Sequence, residues 1–279
     1  MSLRTGLGVP RTSGSDPGRD HDATAAGRGW VKMSGRIADI SQRQAARIAG
    51  SAYLIISVLA LFANFYVLDR LTEPGDAAAT VSNIAASEAL FRSGIVAFIA
   101  VFVADAVVAW ALYLFFRRVN RDLSLLTAWF RLLYTAMSGM ALLNLAVVVL
   151  LAGGADPATA LGAGQRDAQA MLFLDAYQYG WAIALVCFGV HLVLLGFLVL
   201  RSDYAPSIIG VLLILAGLGY LVDSLARFLL VNYEDYSDFF LLLVAVPAIA
   251  GEFSLTGWLL LRGGKEPGHH AQARQPLPD

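Results

Sequence analysis

Six apolar runs set the limits on what this chain can fold into. They cover residues 48–68, 92–116, 129–152, 178–200, 208–231 and 239–261, and each is close to the ~20 residues a helix needs to cross a hydrocarbon layer. Inside lipid every backbone amide must find its partner within the protein, which leaves helices and closed barrels as the only spanning structures. Barrel strands read as short alternating segments, whereas these runs are long and unbroken. The sequence therefore predicts an all-α, polytopic membrane helix bundle with six transmembrane helices. Composition agrees: 58% of residues are hydrophobic and 15% are charged, with a mean hydropathy of +0.65, where soluble domains carry about 25% charged residues.

The runs divide the chain into three parts. Residues 1–40 are rich in Gly, Arg, Asp and Ser and lack periodicity, a composition that buries too little to offset its ordering entropy. They are expected to form a disordered tail, as are residues 263–279, around a six-helix transmembrane domain at 41–262. No basic region followed by an apolar stretch and a cleavage site appears near the start, and Met33 is a second candidate initiator. The stretch 76–90, "DAAATVSNIAASEAL", follows Pro74-Gly75. It reads as a short helix at the membrane face with Asp76 as its N-cap.

Basic residues fall on alternate connections. Arg36, Arg43 and Arg47 precede the first run, Arg117, Arg118 and Arg121 follow the second, Arg201 follows the fourth, and Arg262 and Lys265 follow the sixth. The opposite connections carry acids, among them Asp69, Glu73, Asp175 and Glu234. By the positive-inside rule both termini are expected in the cytoplasm.

Polar residues inside these runs should face neighbouring helices. Tyr53, Ser57, Ala60 and Asn64 share one side of the first run; Arg131, Thr135 and Ser138 one side of the third, with Asn144 on another flank. Gly180, Ala184, Cys187 and His191 align on the fourth, and Ala216, Gly219, Tyr220, Asp223 and Arg227 on the fifth. In the sixth, Pro247 frees a backbone carbonyl, and Glu252 follows. At ~1.5 Å per residue, Asp105, His191 and Glu252 fall near the midplane, and Asn64, Arg92, Asn144, Asp223 and Arg227 in the outer half. That distribution predicts a vestibule opening outward above an acid–histidine floor.

The strings "LFRSG" (90–94), "FRLL" (130–133), "FGVHLVLLG" (188–196) and "GLGYLVDSLARFLL" (217–230), in this order, resemble the bacterial membrane family known as domain of unknown function 4386. The resemblance spans residues 44–262. It implies a multi-span protein of the bacterial inner membrane with no assigned activity, so no catalytic role is carried over. Arg92, Arg131, His191 and Asp223 are the positions matching its recurring strings.

Each candidate has a plain reading beside a sharper one. Asp223 and Arg227 form either a helix-fastening i,i+4 ion pair or a clamp for an anionic group. Arg92 either snorkels to the interface or helps recognise a ligand. His191 with Cys187 makes half a metal site at best, because three or four ligands are needed; no metal and no cofactor are expected. A haem held by two intramembrane histidines is excluded, since His21, His269 and His270 lie in the tails. Asp105 and Glu252 must pair or take up a proton at that depth, as in a relay with His191. The string "AMSGM" (136–140) lacks the first glycine of a serine-hydrolase elbow, and no phosphate-cradling glycine loop or His-x-x-x-His pair occurs.

Three functions fit these residues. The leading one is small-molecule binding or transport, coupled to protons, with Asp105, His191 and Glu252 as a titrating floor and Arg92, Asp223 and Arg227 as recognition charges. The absence of an inverted repeat counts against transport. The second is a membrane-embedded enzyme acting on a lipid or isoprenoid, with His191 and a carboxylate as acid and base; a cavity opening sideways to lipid would favour it. The third is an assembly or sensing partner without chemistry. Expected partners are the bilayer and a small-molecule ligand. Nucleic acid is not among them, because a net charge of −1 supplies no clustered basic face.

Overall fold

A computed structural model describes residues 40–153 and 161–263. The expected tails at 1–40 and 263–279 lie outside the described residues, apart from Ile40 and Gly263. Every regular element described is helical: α1 Gln42–Leu71, α2 Ala77–Ala86, α3 Glu88–Phe116, α4 Arg121–Ala152, α5 Ala163–Leu200, α6 Ser207–Leu229 and α7 Ser237–Leu261. All but α2 are long and apolar enough to cross a membrane.

Local chemistry explains where the helices start. Asn120 caps α4 by accepting the Leu123 amide at 2.9 Å. The expected third run began eight residues later because Ser124 and Thr127 lower its hydropathy. Both hydroxyls are buried and satisfied, Ser124 donating to the Tyr113 carbonyl at 3.1 Å and Thr127 to that of Leu123 at 2.7 Å. The short helix expected over 76–90 is α2. Asp76 Oδ1 accepts the Ala79 amide at 2.9 Å, behind a turn in which Gly75 takes φ 81°. The chain breaks at Ser87, so Glu88 already belongs to α3. At 38 residues, α5 is about 57 Å long, and its first turns reach beyond a ~30 Å hydrocarbon core, where α2 packs on them.

The six long helices close a ring. Each packs on its neighbour in chain order, and α7 returns to α1. Neighbours run antiparallel, as matched contacts at both ends record: Gln42 donates to the Phe115 carbonyl at 3.3 Å, while Val67 meets Gly94 further along the same pair. Between α5 and α6 the backbones touch. A Cβ on Gly217 would lie 2.6 Å from the Gly189 carbonyl oxygen, and one on Gly196 would lie 2.6 Å from that of Gly210. Close approach through small residues is how helices associate where lipid gives no hydrophobic drive. The outside is greasy, with Val103, Met140, Leu143 and Leu241 each more than 60% exposed.

The α1–α7 seam is the exception. Gly50 abuts Leu260, and Gly263 abuts Ala46, but further along a cleft separates the two helices. On that side α1 leaves α-geometry: Phe62–Leu68 form a π-helix, with the Asp69 amide donating to the Asn64 carbonyl. Such stretches occur frequently at functional sites.

Candidate functional site

The ring brings one polar group from each long helix into a single layer: Tyr53 (α1), Asp105 (α3), Arg131 (α4), His191 (α5), Tyr220 (α6) and Glu252 (α7). They lie nine to thirteen residues from Gln42, Phe116, Arg121, Leu200, Ser207 and Leu261, respectively, so at ~1.5 Å per residue they sit about 13–20 Å deep. That is close to the middle of a ~30 Å core.

Arg131 is the hub, buried at 2% exposure. Its Nη2 donates to Asp105 Oδ1 in a buried ion pair. Its Nη1 donates to the Tyr53 hydroxyl at 2.8 Å and lies 3.2 Å from His191 Nε2. The guanidinium also stacks over the Tyr53 ring (4.6 Å) and the Phe188 ring (5.7 Å). A guanidinium only donates, so His191 Nε2 presents its lone pair and the proton sits on Nδ1, 2.9 Å from the Thr127 carbonyl. Both ring nitrogens are thereby engaged. Arg131 Nε is buried without a hydrogen-bond partner.

The cleft, about 490 Å³, reaches this hub from one side. Asp105, Arg131, Tyr134, Tyr220 and Glu252 line its floor, and Leu61, Phe65 and Phe253, each at least half exposed, line its rim. Glu252 is half-buried there, and its side chain makes no hydrogen bond or ion pair among the described residues. The cleft adjoins a second pocket of about 220 Å³ through shared Asn64, Asp69, Trp181 and Leu185. That pocket in turn shares Thr72, Leu174, Gln178 and Arg227 with a third of about 480 Å³, which Glu73, Asp175 and Glu234 border. Together they form a crevice from the acidic helix ends to Arg131.

The sequence candidates separate on this map. Asp105 and Glu252 stand at the cleft floor and Asn64 at its junction with the next pocket, where its amide donates to the Ala60 carbonyl at 2.9 Å. His191 lies behind Arg131, against a space with no room for water, so the floor of the cleft is acid and arginine. Asp223 and Arg227 border the middle pocket but are joined through Tyr233, whose hydroxyl donates to Asp223 Oδ1 at 2.6 Å and accepts from Arg227 Nη2 at 3.3 Å. Arg92 is 59% exposed and pairs with Glu88 at 2.6 Å, and Asn144 donates to the Ala141 carbonyl at 3.0 Å; neither borders the crevice. Cys187 Sγ sits 3.7 Å from Met137 Sδ. Among the described residues no three of His, Cys, Asp and Glu come together to hold a metal ion.

Arg131 is the residue that sequence reasoning undervalued. It was placed on the inward stripe of the third run, two residues from that run's expected start, and was given no place at the midplane; the longer α4 carries it to mid-depth. Tyr53 and Tyr220 were legible as members of polar stripes, whereas Thr127 acts through its backbone and leaves no signal.

A closed ring of six apolar helices around a buried polar layer defines an all-helical, multi-pass membrane protein. The family described as Domain of unknown function (DUF4386) matches residues 48–263, and the chain belongs to it. It is also 30% identical over 171 residues to a protein of Archaeoglobus fulgidus described as "Uncharacterized protein", an alignment covering 61% of this chain and 84% of the relative. No solved structure matches.

Proposed function

We propose that the protein binds an amphipathic, lipid-like molecule in the α1–α7 cleft. The polar end rests against Glu252, above the buried Arg131–Asp105 pair, and the hydrocarbon chain leaves past Leu61, Phe65 and Phe253 into the bilayer. The observation that carries this reading is that one cleft has both a polar floor at mid-depth and a rim of lipid-facing side chains. Its volume lies in the range of ligand sites, ~300–1,000 Å³.

The crevice that continues to the acidic ends favours movement of that ligand, or its head group, between the bilayer and one aqueous face. With both termini in the cytoplasm of a bacterial cell, as the basic connections argue, that face is the outer one. Acid–base catalysis through His191 has less support, because Thr127 and Arg131 occupy both ring nitrogens.

Native mass spectrometry of the protein released from nanodiscs, titrated with dodecyl-chain amphiphiles, tests the reading. Wild type should retain one amphiphile per chain, and Ala60→Trp, which fills the cleft, should retain none. Absence of saturable binding to wild type, or equal binding to Ala60→Trp, would refute it.

A further inference from the structure

We infer that the polar end of the bound amphiphile is a cation, a long-chain amine or quaternary ammonium, recognised by Glu252 and the aromatic rings around it. This rests on the amphiphile-binding reading and adds the chemical class of the head group.

Charge balance points first. At the floor Arg131 is already neutralised by Asp105, and His191 offers it a lone pair rather than a charge. Glu252 is the remaining carboxylate at the floor, half-buried on the cleft wall with no ion-pair partner among the described residues. A carboxylate in that position either takes up a proton or pairs with a positive charge, and the cleft is where such a charge can arrive. An anionic head would instead place a second uncompensated negative charge beside Glu252. The unpartnered Arg131 Nε does not reverse this, because its guanidinium charge is matched by Asp105.

The second observation is the wall. Tyr134, Phe188, Tyr220 and Trp181 line the same cleft as Glu252, and Phe188 packs edge-on to Tyr220 at 5.3 Å and tilted against Tyr134 at 4.7 Å. Ring faces attract organic cations, most strongly where water is excluded. A third is the approach from water. Among the described residues, Asp69, Glu73, Asp175, Asp223 and Glu234 border the two outer pockets with one cation, Arg227, and Arg227 is held over the Tyr233 ring at 4.6 Å. A mouth of that sign concentrates cations and repels anions.

The test uses the full-length protein in nanodiscs with three probes of equal chain length: dodecyltrimethylammonium, dodecanol and dodecyl sulfate. Binding is read from protein fluorescence, with empty nanodiscs correcting for partition and Trp181→Phe identifying the cleft signal. Dodecyltrimethylammonium should bind at least about tenfold tighter than dodecanol, and dodecyl sulfate should bind weakest. Glu252→Gln, close in shape, should bring the cation to the level of the alcohol, and Glu252→Asp should restore part of the difference. Equal binding of the three probes to wild type, a preference for dodecyl sulfate, or an unchanged preference in Glu252→Gln would overturn the cation assignment while leaving the amphiphile site standing. Failure of all three probes to saturate would instead remove the site itself. The comparison on wild type is independent of how any variant folds.

Discussion

Replacing Asp105 by asparagine keeps the shape of the side chain and removes the charge that matches Arg131. Asp105 and Arg131 are 1% and 2% exposed, so water cannot solvate the guanidinium left behind. Breaking a buried pair by deleting one partner typically costs about 3–5 kcal/mol. The Tyr53 hydroxyl and His191 Nε2 still accept from Arg131, and hydrogen bonds to charged groups contribute about 1.5–3 kcal/mol each, so the lower end, about 3 kcal/mol, is expected for Asp105→Asn. Arg131→Met strands a buried carboxylate and empties two acceptors, and the upper end, about 5 kcal/mol, is expected there. In the double variant neither charge remains. Its destabilisation should fall below the sum of the singles by about 2–3 kcal/mol, the size of coupling found for residues sharing one network. Equilibrium unfolding in mixed micelles of mild detergent and sodium dodecyl sulfate measures all four proteins. An Asp105→Asn variant within about 0.5 kcal/mol of wild type, the usual scatter of surface substitutions, would refute the buried hub, as would additive singles.

Three further outcomes follow from the same geometry. Gly217→Ala puts a methyl group 2.6 Å from the Gly189 carbonyl oxygen and should destabilise by about 1–3 kcal/mol through overpacking. Gly257→Ala on α7 meets nothing within 4 Å and should instead stabilise by up to ~1 kcal/mol through helix propensity; the same micelle unfolding separates the two, and equal effects would contradict the α5–α6 contact. Nitrogen-15 shifts of His191 should report the Nδ1–H tautomer, and an Nε2–H tautomer would contradict the contact with Arg131. A periplasmic reporter fused at residue 160 should be active and one at residue 119 inactive; the reverse would overturn the proposed orientation.

The fold was largely written in hydropathy, because lipid penalises every exposed backbone group and leaves long helices as the answer. Six runs became six helices, and the Asp76 cap formed as the Pro-Gly turn and following alanines imply. Helix ends were less legible. Ser124 and Thr127 look like loop residues until their hydroxyls are seen bonded to carbonyls of Tyr113 and Leu123, and the displaced end hid the true depth of Arg131. The polar stripes gave the right faces for Tyr53 and Tyr220. They could not say which groups would meet, since that depends on how the helices close into a ring. Arg92 illustrates the gap. Its position promised a recognition charge, but Glu88 one turn earlier provides a local partner, and the pair sits on the exposed side of α3.

The most direct measurement is a cryo-electron microscopy reconstruction of the protein in lipid nanodiscs with dodecyltrimethylammonium. Elongated density should run from Glu252 outward between Leu61, Phe65 and Phe253 to the surrounding lipid, with Arg131 and Asp105 in contact beneath it. Helices α1 and α7 closed side chain against side chain along their whole length, with Glu252 sealed from lipid and water alike, would contradict the account.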